Sequence, residues 1–81
     1  MLSELTSAEK IVGIKQLRKA LRDDKASKVF VAQDADPKLT GPIIETCREK
    51  NVPLEEIPTM IQLGKACNIE VGAAVAALLK A

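Results

Sequence analysis

Val29-Phe30-Val31-Ala32-Gln33-Asp34-Ala35-Asp36-Pro37 is the stretch on which the fold turns. Its first four residues form an unbroken apolar run, the pattern of a strand covered on both faces. The run ends in a polar turn holding two aspartates and a proline.

Upstream, Ile14–Arg22 has helical periodicity. Ile14, Leu17, Ala20 and Leu21 make an apolar stripe, and Lys15, Arg18, Lys19 and Arg22 fall outside it. Gly13 stands at the helix entry, where its backbone freedom allows a tight turn. Ile11-Val12-Gly13 is long enough only for a strand fragment, and Ser3–Lys10 reads as a short helix. Asp23 through Ser27 reads as a polar turn.

Downstream, Gly41-Pro42 makes the first turn of the next helix irregular, so its regular part is expected to begin at Pro42. Ile43, Ile44 and Cys47 point inward, and Glu49-Lys50-Asn51 closes the helix. Val52–Ile57 reads as a short strand near an edge, because Pro53 cannot donate to a ladder. Thr59 opens a further helix with Gln62 three residues on, as in a capping box. Met60, Leu63 and Cys67 form its inner face, and Asn68 is a left-handed stop. Val71–Leu79 stays open between helix and strand: its alanines favour the former, its place after a helix the latter. The alternation points to a three-layer α/β/α sandwich, a single domain over residues 1–81.

Composition narrows the chemistry. Of 81 residues, 47% are hydrophobic, enough for a core, yet Phe30 is the only aromatic, so packing rests on Val, Ile, Leu and Ala. The start, Met1-Leu2-Ser3-Glu4-Leu5, lacks the basic and apolar parts of a secretory leader. No apolar run is long enough for a membrane span. Cys47 and Cys67 are expected as buried free thiols of a cytoplasmic protein. With no histidine, the commonest general base and metal ligand is missing. Neither a zinc spacing nor a Walker-type loop occurs. Asp34 and Asp36 flank a turn, which suits capping better than catalysis. No enzyme activity, metal or cofactor is expected.

Charge is unevenly spread. Residues 10–28 carry Lys10, Lys15, Arg18, Lys19, Arg22, Lys25 and Lys28 against Asp23 and Asp24, or +5, and the rest of the chain is −4. A basic segment on an otherwise acidic domain fits a polyanion, although a solvated helix face also explains it. Two segments could meet one. Gly13-Ile14-Lys15-Gln16-Leu17-Arg18-Lys19 is a glycine turn entering a basic helix, whose first N–H groups attract phosphate. Leu63 through Gly72 leaves a helix for a loop with an exposed-looking Ile69-Glu70-Val71 tip, able to wedge against sugar or an unstacked base.

Four motifs carry a resemblance. They are Gly13 through Lys19, Val29 through Pro37, Glu49-Lys50-Asn51-Val52-Pro53, and Leu63-Gly64-Lys65-Ala66-Cys67-Asn68-Ile69-Glu70-Val71-Gly72-Ala73-Ala74. In this order and at these intervals the chain resembles the kink-turn-binding ribosomal protein family, the L-seven-Ae and L-thirty-e family, and above all its small bacterial members. The resemblance runs from about Val12 to Leu79.

It implies an α/β/α sandwich with a mixed four-stranded sheet, in which Val71–Leu79 is a strand. It also implies binding of kink-turns, where a bulge beside tandem sheared G·A pairs bends an RNA duplex. The implied contacts are Gly13, Lys15, Gln16, Arg18 and Lys19 at the helix start, Asp36 beside a pocket for an extruded nucleotide, Lys65, and the loop Ile69, Glu70 and Val71. Lys19 matches the family lysine. Lys15 and Gln16 stand where the family usually has Asn and Glu, Thr40 and Met60 where it often has an apolar residue and a lysine, and Asn68 where glycine is commoner. The partner would be a structured RNA (ribosomal RNA, a riboswitch or another), bound by a monomer with no membrane involved. The substituted Lys15 and Gln16 keep a second reading open: a protein-interaction module that retains the fold without binding kink-turns.

Overall fold

In the computed structural model, which describes residues 10–80, the elements are β1 (Lys10–Val12), α1 (Ile14–Arg22), β2 (Ala26–Ala32), α2 (Pro37–Lys50), β3 (Leu54–Ile57), α3 (Met60–Ala66) and β4 (Val75–Leu79). The strands form one mixed sheet in the order β1-β4-β2-β3. β2 pairs parallel with β3 and antiparallel with β4, and β4 pairs antiparallel with β1.

The apolar run in β2 does what a doubly covered strand must. Val29, Phe30, Val31 and Ala32 are all buried. Alternate side chains enter two separate cores. Val29 and Val31 pack with Leu17, Leu21, Ile43, Cys47 and Val75 beneath α1 and α2. Phe30 and Ala32 pack with Ile57, Leu63, Cys67 and Ala76 beneath α3. The sheet is thus sandwiched, and full burial of Phe30 stabilises it by roughly 1.5–3 kcal/mol.

β4 settles the ambiguous C-terminal stretch. Val75, Ala76 and Ala77 have no exposed surface, because β4 lies between two strands and beneath helices on both faces. Tertiary burial outweighs the helical preference of its alanines. Only residues 75–79 form the strand, and 71–74 are loop.

Three expected boundaries are corrected. Ala26 and Ser27 belong to β2 rather than to a turn: Ala26 pairs with Leu79 across a bulge, and the Ser27 hydroxyl donates to the Leu78 carbonyl at 3.2 Å. The helix expected over Ser3–Lys10 lies outside the described residues except for Lys10, which pairs with Leu78 in β1. α2 starts five residues before Pro42. Asp36 caps it by accepting from the Lys38 amide at 2.9 Å, and Pro37 fills a first-turn position whose missing N–H has no role. Pro42 sits inside this helix.

Candidate nucleic-acid interface

One end of the sheet gathers the segments singled out in the sequence. The Gly13 amide donates to the Val75 carbonyl at 3.3 Å, so α1 begins beside the start of β4. Ala32, at the end of β2, donates to Ala74 at 2.9 Å and pairs with Ile57 of β3. The Ala73 amide donates to the Met60 carbonyl at 3.0 Å. The start of α1, the 33–36 turn, the start of α3 and the 68–74 loop therefore share this end.

The helix starts there differ. α2 is capped by Asp36, and α3 by Thr59, whose hydroxyl accepts from the Gln62 amide at 3.1 Å. Asp34 reinforces the α3 cap by accepting from the Met60 amide at 2.8 Å. The cap residue of α1 is Gly13, which has no side chain to offer, so among the described residues no side-chain cap meets the first-turn amides. Gly13 has φ +114°, a conformation that any side chain would strain.

Along α1, Leu17, Ala20 and Leu21 face the core. At about 3.6 residues per turn, Lys15 and Lys19 then form an outward crest, and Arg22 stands on its α2-facing shoulder. Gln16 lies on one flank, where with Lys19 it lines a cleft shared with Ile11, Ala20, Lys25 and Leu79. Arg18 lies on the other flank, beside Pro42 and Thr46 of α2. The structure therefore brings Lys15, Gln16 and Lys19 together on the glycine-led helix and turns Arg18 away from Gln16.

The loop after α3 is tightly held. Asn68 has φ +64°, as its role as a left-handed stop requires, and its amide donates to Lys65. Ile69 donates to the Gly64 carbonyl at 3.0 Å and packs half-buried on the Phe30 core. The expected three-residue exposed tip is thus reduced to Glu70 and Val71, with Val71 70% exposed. Lys65 is exposed on α3, in the layer opposite α1.

Asp36 spends one carboxylate oxygen on its cap. The nearby cleft is lined by Gln33, Pro37, Thr40 and Glu56 among others, with Gln33 donating to Glu56 at 2.7 Å, and Asp36 is not on its wall. Cys47 and Cys67 are buried free thiols, pushed up by desolvation. Among the described residues no cluster of His, Cys, Asp or Glu could hold a metal ion. No helix there is long and apolar enough to cross a membrane.

The close packing of Gly64 under the loop was not apparent from sequence, nor were the second cap by Asp34 and the part of Lys25 in the Gln16 cleft. Only the Asp34 position, two residues before Asp36, carried a capping signal.

A basic helix start led by glycine, beside a hydrogen-bonded loop on an α/β/α frame, defines a class, and the comparisons agree with it. Residues 3–81 match the Ribosomal protein L7Ae/L30e/S12e/Gadd45 family, and the chain belongs to that family. It is 43% identical over 76 residues to an RNA-binding protein of a Geobacillus species, covering 94% of this chain and 93% of that one. It is 40% identical over 76 residues to the RNA-binding protein YbxF of Geobacillus stearothermophilus, with the same coverage. Among solved structures, the Giardia lamblia 15.5kD RNA binding protein superposes with a TM-score of 0.84 at 31% identity, over 99% of this chain and 66% of that one. A Bacillus halodurans protein of unknown function superposes at 0.86 with 20% identity, over 99% and 84%, which speaks to the fold alone.

Proposed function

We propose that this chain is a non-catalytic, monomeric RNA-binding protein of the cytoplasm whose single domain recognises kink-turns. The observation that carries the proposal is the uncapped start of α1 behind Gly13, with Lys15, Gln16 and Lys19 around it and the Glu70–Val71 loop at the same end of the sheet.

Each part has a physical task. Regular duplex RNA keeps its base edges in a deep, narrow groove, and a sharp bend opens that groove. The open amides of α1 carry partial positive charge and favour phosphate oxygens. Gln16 offers an amide to a guanine edge, while Lys15 and Lys19 meet phosphates. Val71 supplies an apolar face to a sugar or an unstacked base. Asp36, in the turn at this end of the sheet, and Lys65, just before the Asn68 stop, are the secondary contacts of this reading. Relatives that are named RNA-binding proteins support the RNA part of this reading, and the target would be ribosomal RNA, a riboswitch or another structured RNA.

Such a protein binds the bent form and shifts the RNA toward it only by its preference for that form. A kink-turn duplex with a fluorophore on each end tests this. Added protein should raise energy transfer, and the affinity should fall steeply with salt, as expected when roughly four or five phosphates are neutralised. Unchanged transfer at saturating protein, or an affinity indifferent to salt, would contradict the proposal.

A further inference from the structure

Arg18 and Arg22 leave α1 on the side facing α2, which presents Pro42, Thr46 and Lys50 to them. Together they line a groove of about 440 Å³. Its floor is closed: Leu21 and Ile43 are each 2% exposed. A visitor therefore meets two guanidinium groups, an ammonium group, the half-buried Thr46 and the exposed ring of Pro42.

The two arginines are poorly matched by acids among the described residues. Arg18 takes part in no ion pair among the described residues. Arg22 has only Asp23, at a loose 3.9 Å. Lys50 is held at 2.9 Å from Asp24, itself largely in solvent.

We infer that this groove is a second phosphate-binding surface, which takes the sugar–phosphate backbone of the RNA helix continuing past the kink. The inference rests on the kink-turn reading. Both sites share α1, and at about 1.5 Å per residue Arg22 lies roughly 10 Å further along its axis than Lys15. The groove thus reaches backbone beyond the footprint of the first turn. An acidic protein segment would also supply negative charge. It would need deep apolar anchors for affinity, however, and with Leu21 and Ile43 buried only the Pro42 ring is offered to it.

Two RNAs test the groove: a kink-turn trimmed to the shortest stems that still bend, and the same kink-turn with each stem extended by a helical turn. The wild-type protein should bind the extended RNA about tenfold tighter and with a steeper salt dependence. The double variant Arg22→Ala, Lys50→Gln should lose that gain, its salt slope shallower by about two for two lost phosphate contacts. Thr46→Glu, which places a carboxylate mid-groove, should lose the gain as well. Both variants should bind the trimmed RNA within about twofold of wild type. Circular dichroism establishes that they fold.

Equal wild-type affinity for the two RNAs overturns the inference, as does an unimpaired pair of variants. Variants that lose capture by poly-glutamate and keep the extended-RNA gain would mark a protein-facing groove, and overturn it too. If the wild type binds neither RNA, the kink-turn reading itself has failed.

Discussion

The backbone of Val71 lies where a Cβ on Gly64 would have to be. Such an atom would also sit 3.1 Å from the Val71 carbonyl carbon and 3.2 Å from the Gly72 Cα. The loop that carries Glu70 and Val71 rests directly on α3, and only a glycine there allows it.

Gly64→Ala should therefore act against helix propensity. In an open helix it would stabilise by roughly 1 kcal/mol. Here the methyl meets backbone that cannot rotate away, and overpacking of this kind costs about 1–3 kcal/mol. The expected result is a lower unfolding midpoint, with amide shift changes concentrated in residues 68–73. A stabilised protein with an unmoved loop would show that the contact yields easily.

Lys19 sits on the outward crest of α1 and in the Gln16 cleft. Lys19→Ala should weaken kink-turn binding by roughly 1–3 kcal/mol, the worth of a charge-assisted contact. The thermal midpoint should barely move, because the residue is exposed. An unchanged dissociation constant would remove Lys19 from the site.

Gln16 stands where the resemblance implies a glutamate. Hydrogen bonds to a charged acceptor exceed neutral ones by about 1 kcal/mol. Gln16→Glu should thus tighten binding to an RNA with G·A pairs and give no gain on a fully paired duplex. Weaker binding to the kink-turn would show that Gln16 does not face a guanine edge.

Asp36 is a helix cap first. Asp36→Ala should cost roughly 0.5–2 kcal/mol of stability, and Asp36→Asn should keep most of it. If both variants unfold at the wild-type midpoint, the 2.9 Å bond to Lys38 contributes nothing.

Burial raises both thiols above the ordinary range. Their share of stability is complete below the pKa of an exposed cysteine and is lost as pH rises through the raised value. Alkaline solutions should lower the unfolding midpoint. A thiol reagent at neutral pH should label neither Cys47 nor Cys67 until denaturant is added. Rapid labelling of the native protein would contradict their burial.

Much of this arrangement was legible in the residues. Ile14–Arg22 shows its helix through a stripe of period 3.6, and Val29–Ala32 its double burial through an unbroken apolar run. What was not legible depended on distant neighbours. The alanines of β4 are committed to a strand only by β1 and β2 on either side. Gly41-Pro42 hid the true start of α2, although Asp36-Pro37 carried the cap and first-turn signals for it. At the interface, the basic helix and the loop could be named, but two facts could not be read. Ile69 turns inward onto the Phe30 core, and Arg18 comes to lie against Pro42 and Thr46 of α2. Both follow from how the layers pack rather than from local pattern.

The most direct test is an affinity titration of the wild-type protein at fixed salt against two RNAs: a kink-turn, and the same duplex with its G·A pairs replaced by Watson–Crick pairs. Recognition of the bent form predicts binding tighter by at least about tenfold, some 1.4 kcal/mol, for the kink-turn. Equal affinity for the two would mean that the basic helix reads only charge.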